Sequence, residues 1–186
     1  MYPPRIVTLA ACLFAASSLA APSLLPARAQ GFMDAPPPPL PVGTRAPAFT
    51  TTTLQGKPLS LRSLRGHVVL LDYWATWCGP CRMATPTMQA LNRQYARKGL
   101  RVIGMSVDQP DSLAQVKPFV KAMGMTYTIT ASPQANGRAQ SAYNAHAIPA
   151  QYLIDKKGIV RWSQEGFSPG EGPQLAAKIR KLLAEK

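Results

Sequence analysis

Two stretches of the chain, residues 67–74 and 100–107, are apolar at nearly every position. Such runs predict strands buried on both faces of a sheet. Between them, Met88, Leu91 and Tyr95 fall at spacings of three and four, which predicts a helix over residues 78–98. Pro86 inside this helix predicts a kink, and Gly99 ends it. Upstream, the threonine run 50–53 and residues 58–61 flank the turn Leu54-Gln55-Gly56-Lys57, predicting a small hairpin, and residues 62–66 follow as a short turn of helix. Downstream, a helix is expected over 112–123, capped by Asp111 or Ser112 and stopped by Gly124. A short strand at 127–130 and a short helix at 138–143 come next. Strands at 151–154 and 159–164 are joined by the turn Asp155-Lys156-Lys157-Gly158. A closing helix over 175–184 gathers Leu175, Ile179, Leu182 and Leu183 on one face. The order β-α-β-α-β-α-β-β-α predicts an α/β sandwich with a mixed central sheet. No internal repeat is visible.

Composition alters this picture mainly at the N-terminus. With 186 residues, 46% of them hydrophobic, the chain has room for one ordinary domain with a packed core. Nineteen prolines are too many for a single compact fold, so part of the chain reads as linker. Arg5 precedes an apolar run, residues 6–16, then small residues and the small-x-small site Ala27-Arg28-Ala29. This is the layout of a secretory signal, expected over residues 1–29. Cleavage there makes the mature protein periplasmic or secreted; an uncleaved membrane anchor is the alternative. Leu9-Ala10-Ala11-Cys12 also looks like a lipidation site, although only a very short apolar core precedes it. Residues 30–41, with Pro36 to Pro39 consecutive, read as an extended Pro-rich linker. The domain proper is expected over residues 42–186.

Lysine and arginine number 21 against 8 acids, a net charge of +13. Such a balance invites a nucleic-acid reading. The bases are scattered, however, with Lys156-Lys157 and Arg180-Lys181 as mere pairs, and no nucleic-acid motif is present. The expectation is a solvated basic surface, with at most peripheral or anchored membrane contact.

Three cysteines exclude both a disulfide-stapled mini-domain and a two-cluster zinc scaffold. Two of them, in Trp77-Cys78-Gly79-Pro80-Cys81, sit where a buried strand gives way to a helix. Unpaired amides and the dipole at a helix N-terminus stabilise a thiolate. The i, i+3 spacing brings both sulfurs to one face, close enough to bond. Cys78 is then the exposed nucleophile and Cys81, one turn in, the resolving thiol. A purely structural disulfide closing so short a loop would restrict little of the unfolded chain. A metal pair lacks partners, since His67 lies in a strand and His146 is the one other histidine. No metal and no cofactor beyond a redox-active Cys78–Cys81 disulfide is therefore expected.

These residues resemble the thioredoxin superfamily. Trp74-Ala75-Thr76-Trp77-Cys78-Gly79-Pro80-Cys81-Arg82 looks like its active site. The stretch Ala147-Ile148-Pro149-Ala150-Gln151-Tyr152-Leu153-Ile154-Asp155 is similar to its cis-proline loop and following strand. The segment between Val107 and Arg138 is longer than in thioredoxin itself and reads as an added helix and strand. With the N-terminal hairpin and the signal, this resembles the TlpA/ResA-like branch of envelope thiol-disulfide oxidoreductases. The resemblance implies a thioredoxin-like sandwich whose central mixed sheet is flanked by helices. It implies that Pro149 is cis and faces the CxxC, leaving the backbone of Ile148 to pair with a substrate strand. Trp77, Gly79 and Pro80 would contact substrate; Trp77 would frame the site, with Trp74 either framing it too or belonging to the core. Asp72 matches the buried aspartate of thioredoxin, placed to take the proton of Cys81. Ala84 stands where TlpA/ResA-type relatives often carry a glutamate, and many of these lack an acid at the Asp72 position.

The function implied is thiol-disulfide exchange, with Gly79-Pro80 resembling the reducing members. Expected partners are disulfide-containing exported proteins, among them apocytochrome c, and a membrane electron donor that resupplies a monomeric protein. Two alternatives stand beside it. A peroxiredoxin-like peroxidase needs threonine three residues and proline seven residues before its cysteine, where this chain has Ala75 and Leu71. A copper-binding chaperone would use Cys78, Cys81 and His146, although Sco-type proteins space their cysteines more widely.

Overall fold

The protein is described by a computed structural model over residues 37–185. The expected signal over 1–29, with Cys12, and the start of the linker lie outside the described residues. The elements in order are β1 (Thr50–Thr52), β2 (Pro58–Ser60), β3 (Val68–Trp74), α1 (Gly79–Tyr95), β4 (Leu100–Ser106), α2 (Val116–Ala122), β5 (Thr128–Thr130), α3 (Pro133–Ala142), β6 (Ala150–Ile154), β7 (Val160–Glu165) and α4 (Glu171–Ala184).

The five longer-range strands form one mixed sheet in the order β5-β4-β3-β6-β7. β4 lies parallel to both β3 and β5, while β6 is antiparallel to β3 and β7. The two apolar runs thus become its two innermost parallel strands, and β3 is buried at every residue. Alternation along β3 sends Leu70, Asp72 and Trp74 to one face and Leu71 and Tyr73 to the other. Tyr73 meets Tyr143, just beyond α3, and Tyr152, with ring centroids 5.9 and 6.1 Å away. On the opposite face Trp74 stacks on Phe119 of α2 at 5.2 Å. Helices therefore cover both faces, which is why strands this apolar are not exposed. Gly104 of β4, level with Asp72, leaves space that this packing needs. A Cβ there would lie 2.7 Å from Ile129 Cδ1 and 2.9 Å from Trp74 Nε1.

β1 and β2 form the expected hairpin, tied to the sheet edge by a Thr53–Thr130 bridge. Asn136 of α3 joins these parts. Its Oδ1 accepts from Thr51 Oγ1 at 2.7 Å and from Thr130 Oγ1 at 3.2 Å. Its Nδ2 donates to the carbonyls of Ser106 and Thr130 at 2.8 and 3.2 Å. The end of the Pro-rich stretch lies against the domain, where Ser163 Oγ donates to the Leu40 carbonyl at 3.0 Å.

Four elements differ from their expected form; the closing helix, expected from residue 175, begins at Glu171. The helix expected at 138–143 begins five residues earlier, at Pro133, whose fixed φ suits the first helical turn. The expected 112–123 helix opens as a 3₁₀ turn, Leu113–Gln115, before α2. α1 runs through Pro86 as one helix and tightens into a 3₁₀ turn, Ala96–Lys98, before Gly99 at φ 104°. Among the described residues no helix is long and apolar enough to cross a membrane.

Candidate active site

β3 ends at Trp74 and α1 starts at Gly79, so the loop between them delivers Cys78 to the helix N-cap. Cys78 and Cys81 are bonded to each other, with Cα atoms 5.3 Å apart. The Cys81 N–H donates to Cys78 Sγ at 3.1 Å. Pro80 sits in the first turn, where a missing N–H leaves no helical bond unmade. Gly79 borders open space, with no atom within 4 Å of where a Cβ would lie.

The Ile148–Pro149 peptide is cis, and the Ile148 carbonyl oxygen lies 3.7 Å from Cys78 Sγ. The motif and the proline loop, 70 residues apart in sequence, thus form one site. In this oxidised state both cysteines are nearly covered, Cys78 staying the more exposed at 4% against 2% for Cys81, with its sulfur 3.7 Å from the Ile148 carbonyl oxygen. Of the two readings of Trp74, the structure selects core: its position on β3 turns it against Phe119. Trp77 does stand at the surface, 64% exposed, as does Met83, which the sequence reading did not single out.

Asp72 is buried on β3, directly opposite Gln151 of β6. Burial pushes its carboxyl up to about 7, with the neighbouring Gln151 amide as a smaller, opposing influence. The Asp72 Oδ1, Trp74 Nε1 and Tyr127 hydroxyl atoms are buried without a hydrogen-bond partner. Desolvation, together with the Asp72 charge, also raises the Tyr127 phenol far above its ordinary value. This side of the sheet is a poor place for a fixed negative charge and a good one for a group that exchanges a proton near neutrality.

Sequence reasoning missed two supports. Asp108 is fully buried beyond β4, and its carboxylate accepts from the Thr76 N–H at 3.1 and 3.2 Å. It also accepts from Thr76 Oγ1 at 2.6 Å and Ser106 Oγ at 2.8 Å. The Thr76 carbonyl in turn accepts from Arg82 at 3.0 Å, and Arg82 lies over Phe119. The loop before Cys78 is therefore held from both sides. On the other flank, Glu165 Oε1 accepts from the N–H groups of His146 and Ala147 at 2.7 and 3.1 Å. Neither acid carried a local sequence signal, since the groups they hold lie 18 to 32 residues away along the chain.

Among the described residues, no group of three or more His, Cys, Asp or Glu side chains is placed to hold a metal ion. Cys78, Cys81 and His146 do not form such a set.

A CxxC disulfide at a helix N-terminus, facing a cis-proline on this five-stranded sheet, defines a thioredoxin-like thiol-disulfide oxidoreductase. The chain belongs to the AhpC/TSA family, whose profile matches residues 42–163. It is 33% identical over 141 residues to the thiol-disulfide oxidoreductase ResA of Bacillus thuringiensis subsp. konkukian, a match spanning 76% of this chain and 78% of that protein. It is 35% identical over 120 residues to the thioredoxin-like protein YneN of Bacillus subtilis, spanning 64% and 68% of the two chains. A crystal structure assigned as the thiol:disulfide interchange protein DsbE of Chlorobium tepidum superposes with a TM-score of 0.72 at 30% identity, covering 78% of this chain and 99% of that one.

Proposed function

We propose that this oxidoreductase works as a reductant of disulfides in exported proteins. The observation that carries the reading is the Cys78 sulfur at the N-cap of α1, 3.7 Å from the Ile148 carbonyl. In the reduced protein the Cys78 thiolate attacks one sulfur of a substrate disulfide and forms a mixed disulfide, expelling the other sulfur as a thiolate. Asp72 takes the Cys81 proton. The Cys81 thiolate then attacks Cys78 Sγ, which releases the second substrate thiolate and restores the Cys78–Cys81 disulfide. Two electrons leave with the substrate, so a membrane electron donor must reduce the pair again. Trp77, Gly79 and Pro80 form the rim that substrate meets, and Ile148 offers its backbone to the substrate strand. The ResA and DsbE names of the relatives support exchange chemistry. Export rests on the signal-like residues 1–29, followed by the 30–41 linker. Haem-attachment cysteines of apocytochrome c are the substrate class favoured by the TlpA/ResA resemblance.

Trapping tests this. Cys81→Ser, expressed in its native envelope, should accumulate mixed disulfides through Cys78 that dithiothreitol releases and that Cys78→Ser/Cys81→Ser lacks. No trapped species would contradict the exchange step. A reduction potential close to that of strong oxidants, near about −120 mV, would reverse the direction.

A further inference from the structure

The Ile148–Pro149 loop could be ordered by its own sequence or held from outside. It is held from outside. Glu165 closes β7, the outer strand of the sheet, and is paired in register with Ala150. From there its Oε1 accepts from the consecutive N–H groups of His146 and Ala147, at 2.7 and 3.1 Å. The next residue, Gly166, donates its N–H to the Pro149 carbonyl at 2.7 Å. The loop is thus bound on both sides of Ile148 by neighbouring residues of one strand end. Hydrogen bonds from backbone amides to a carboxylate are stronger than those between neutral groups. Neither Glu165 nor the His146 and Ala147 amides touches the sulfurs.

We propose that Glu165 is a positioning residue for polypeptide substrates: it fixes the loop so that the Ile148 backbone meets an incoming substrate strand in register. Recognition by strand addition depends on main-chain groups being held in place before the partner arrives. A small disulfide without a peptide backbone reaches Cys78 but gains nothing from the loop. The proposal rests on the exchange reading above.

Steady-state reduction of two substrates, with dithiothreitol as the electron source, separates the two ideas. The substrates are oxidised insulin and hydroxyethyl disulfide. Glu165→Ala should raise KM for insulin about tenfold, the scale of two charge-assisted bonds only partly replaced by water. Its kcat for insulin and its rate with hydroxyethyl disulfide should stay within about twofold of the parent protein. Glu165→Gln keeps an amide oxygen as acceptor and should show a smaller rise, about threefold. An unchanged insulin KM, or an equal loss with both substrates, overturns the role of Glu165. Should Glu165→Ala fail to fold, Glu165→Gln decides by the same criterion, together with faster amide exchange at His146 and Ala147. Cys78→Ser must abolish both reactions; its failure to do so would overturn the exchange reading instead.

Discussion

Cys78 acquires its chemistry from its address. As N-cap of α1 it faces unpaired amides, and one of them, the Cys81 N–H, points at its sulfur from 3.1 Å. Cys81, inside the first turn, has no equivalent donor in its favour and lies deeper. At pH 7, Cys78 of the reduced protein should therefore react with iodoacetamide at least about tenfold faster than Cys81. Mass mapping of partially alkylated protein reads this directly, and equal labelling would contradict it. At this scale the motif was legible because everything it needs is local: four residues and a helix start. Trp77 was legible for the same reason. Asp108 and Glu165 were not, because their partners Thr76, His146 and Ala147 lie 32, 19 and 18 residues away. Nothing in local spacing marks an acid whose task is to tie down a distant loop.

At the level of elements, continuous apolar runs identified β3 and β4, and i, i+3/i+4 spacing identified α1 and α4. Their burial is two-sided or one-sided as the pattern demands. The start of α3 was not legible, because Asn136-Gly137 reads as a turn signal when taken alone. In the fold, Asn136 spends its amide on Thr51, Ser106 and Thr130, and those bonds repay a residue of poor helical preference. Asn136→Ala leaves several buried polar groups unpaired at the hairpin, β4 and β5. It should destabilise the protein by about 3 kcal/mol, measured by urea denaturation, with the β1–β2 hairpin losing amide protection first. A change within about 0.5 kcal/mol would mean that the network is not what joins these elements. Pro86 lies inside α1, which runs on past it as the single helix that the apolar spacing predicts.

For the molecule as a whole, the buried Asp72 carboxyl links folding to pH. Its folded-state value, about 7, lies above the ordinary carboxylate value of 3.8 because burial disfavours the charge. Between about pH 4 and pH 7 the native state keeps a proton that the unfolded chain has released, so unfolding becomes easier as pH rises. The stabilising protonation is fully present below pH 4 and lost above pH 7. Asp72→Asn should match the parent at pH 4 and exceed it by about 4 kcal/mol at pH 8, with slower release of substrate from the mixed disulfide. Urea unfolding of both proteins at the two pH values checks this. An equal difference at both would show that Asp72 does not carry the linkage. The +13 charge, by contrast, guided no part of the site, which is built from the buried acids Asp72 and Asp108, two cysteines and main-chain groups.

By itself the sequence determined most of the elements and the redox pair, because hydrophobic period, helix starts and short motifs are written in neighbouring residues; the proline loop followed from the thioredoxin resemblance of residues 147–155. Only the tertiary structure decided which groups face one another. It set Asp72 against Gln151 across two strands, Asp108 beneath Thr76, and Glu165 behind the His146–Ala147 amides. Period encodes whether a side chain is buried, not what it meets there. That pairing depends on strand order and register, which long-range packing selects.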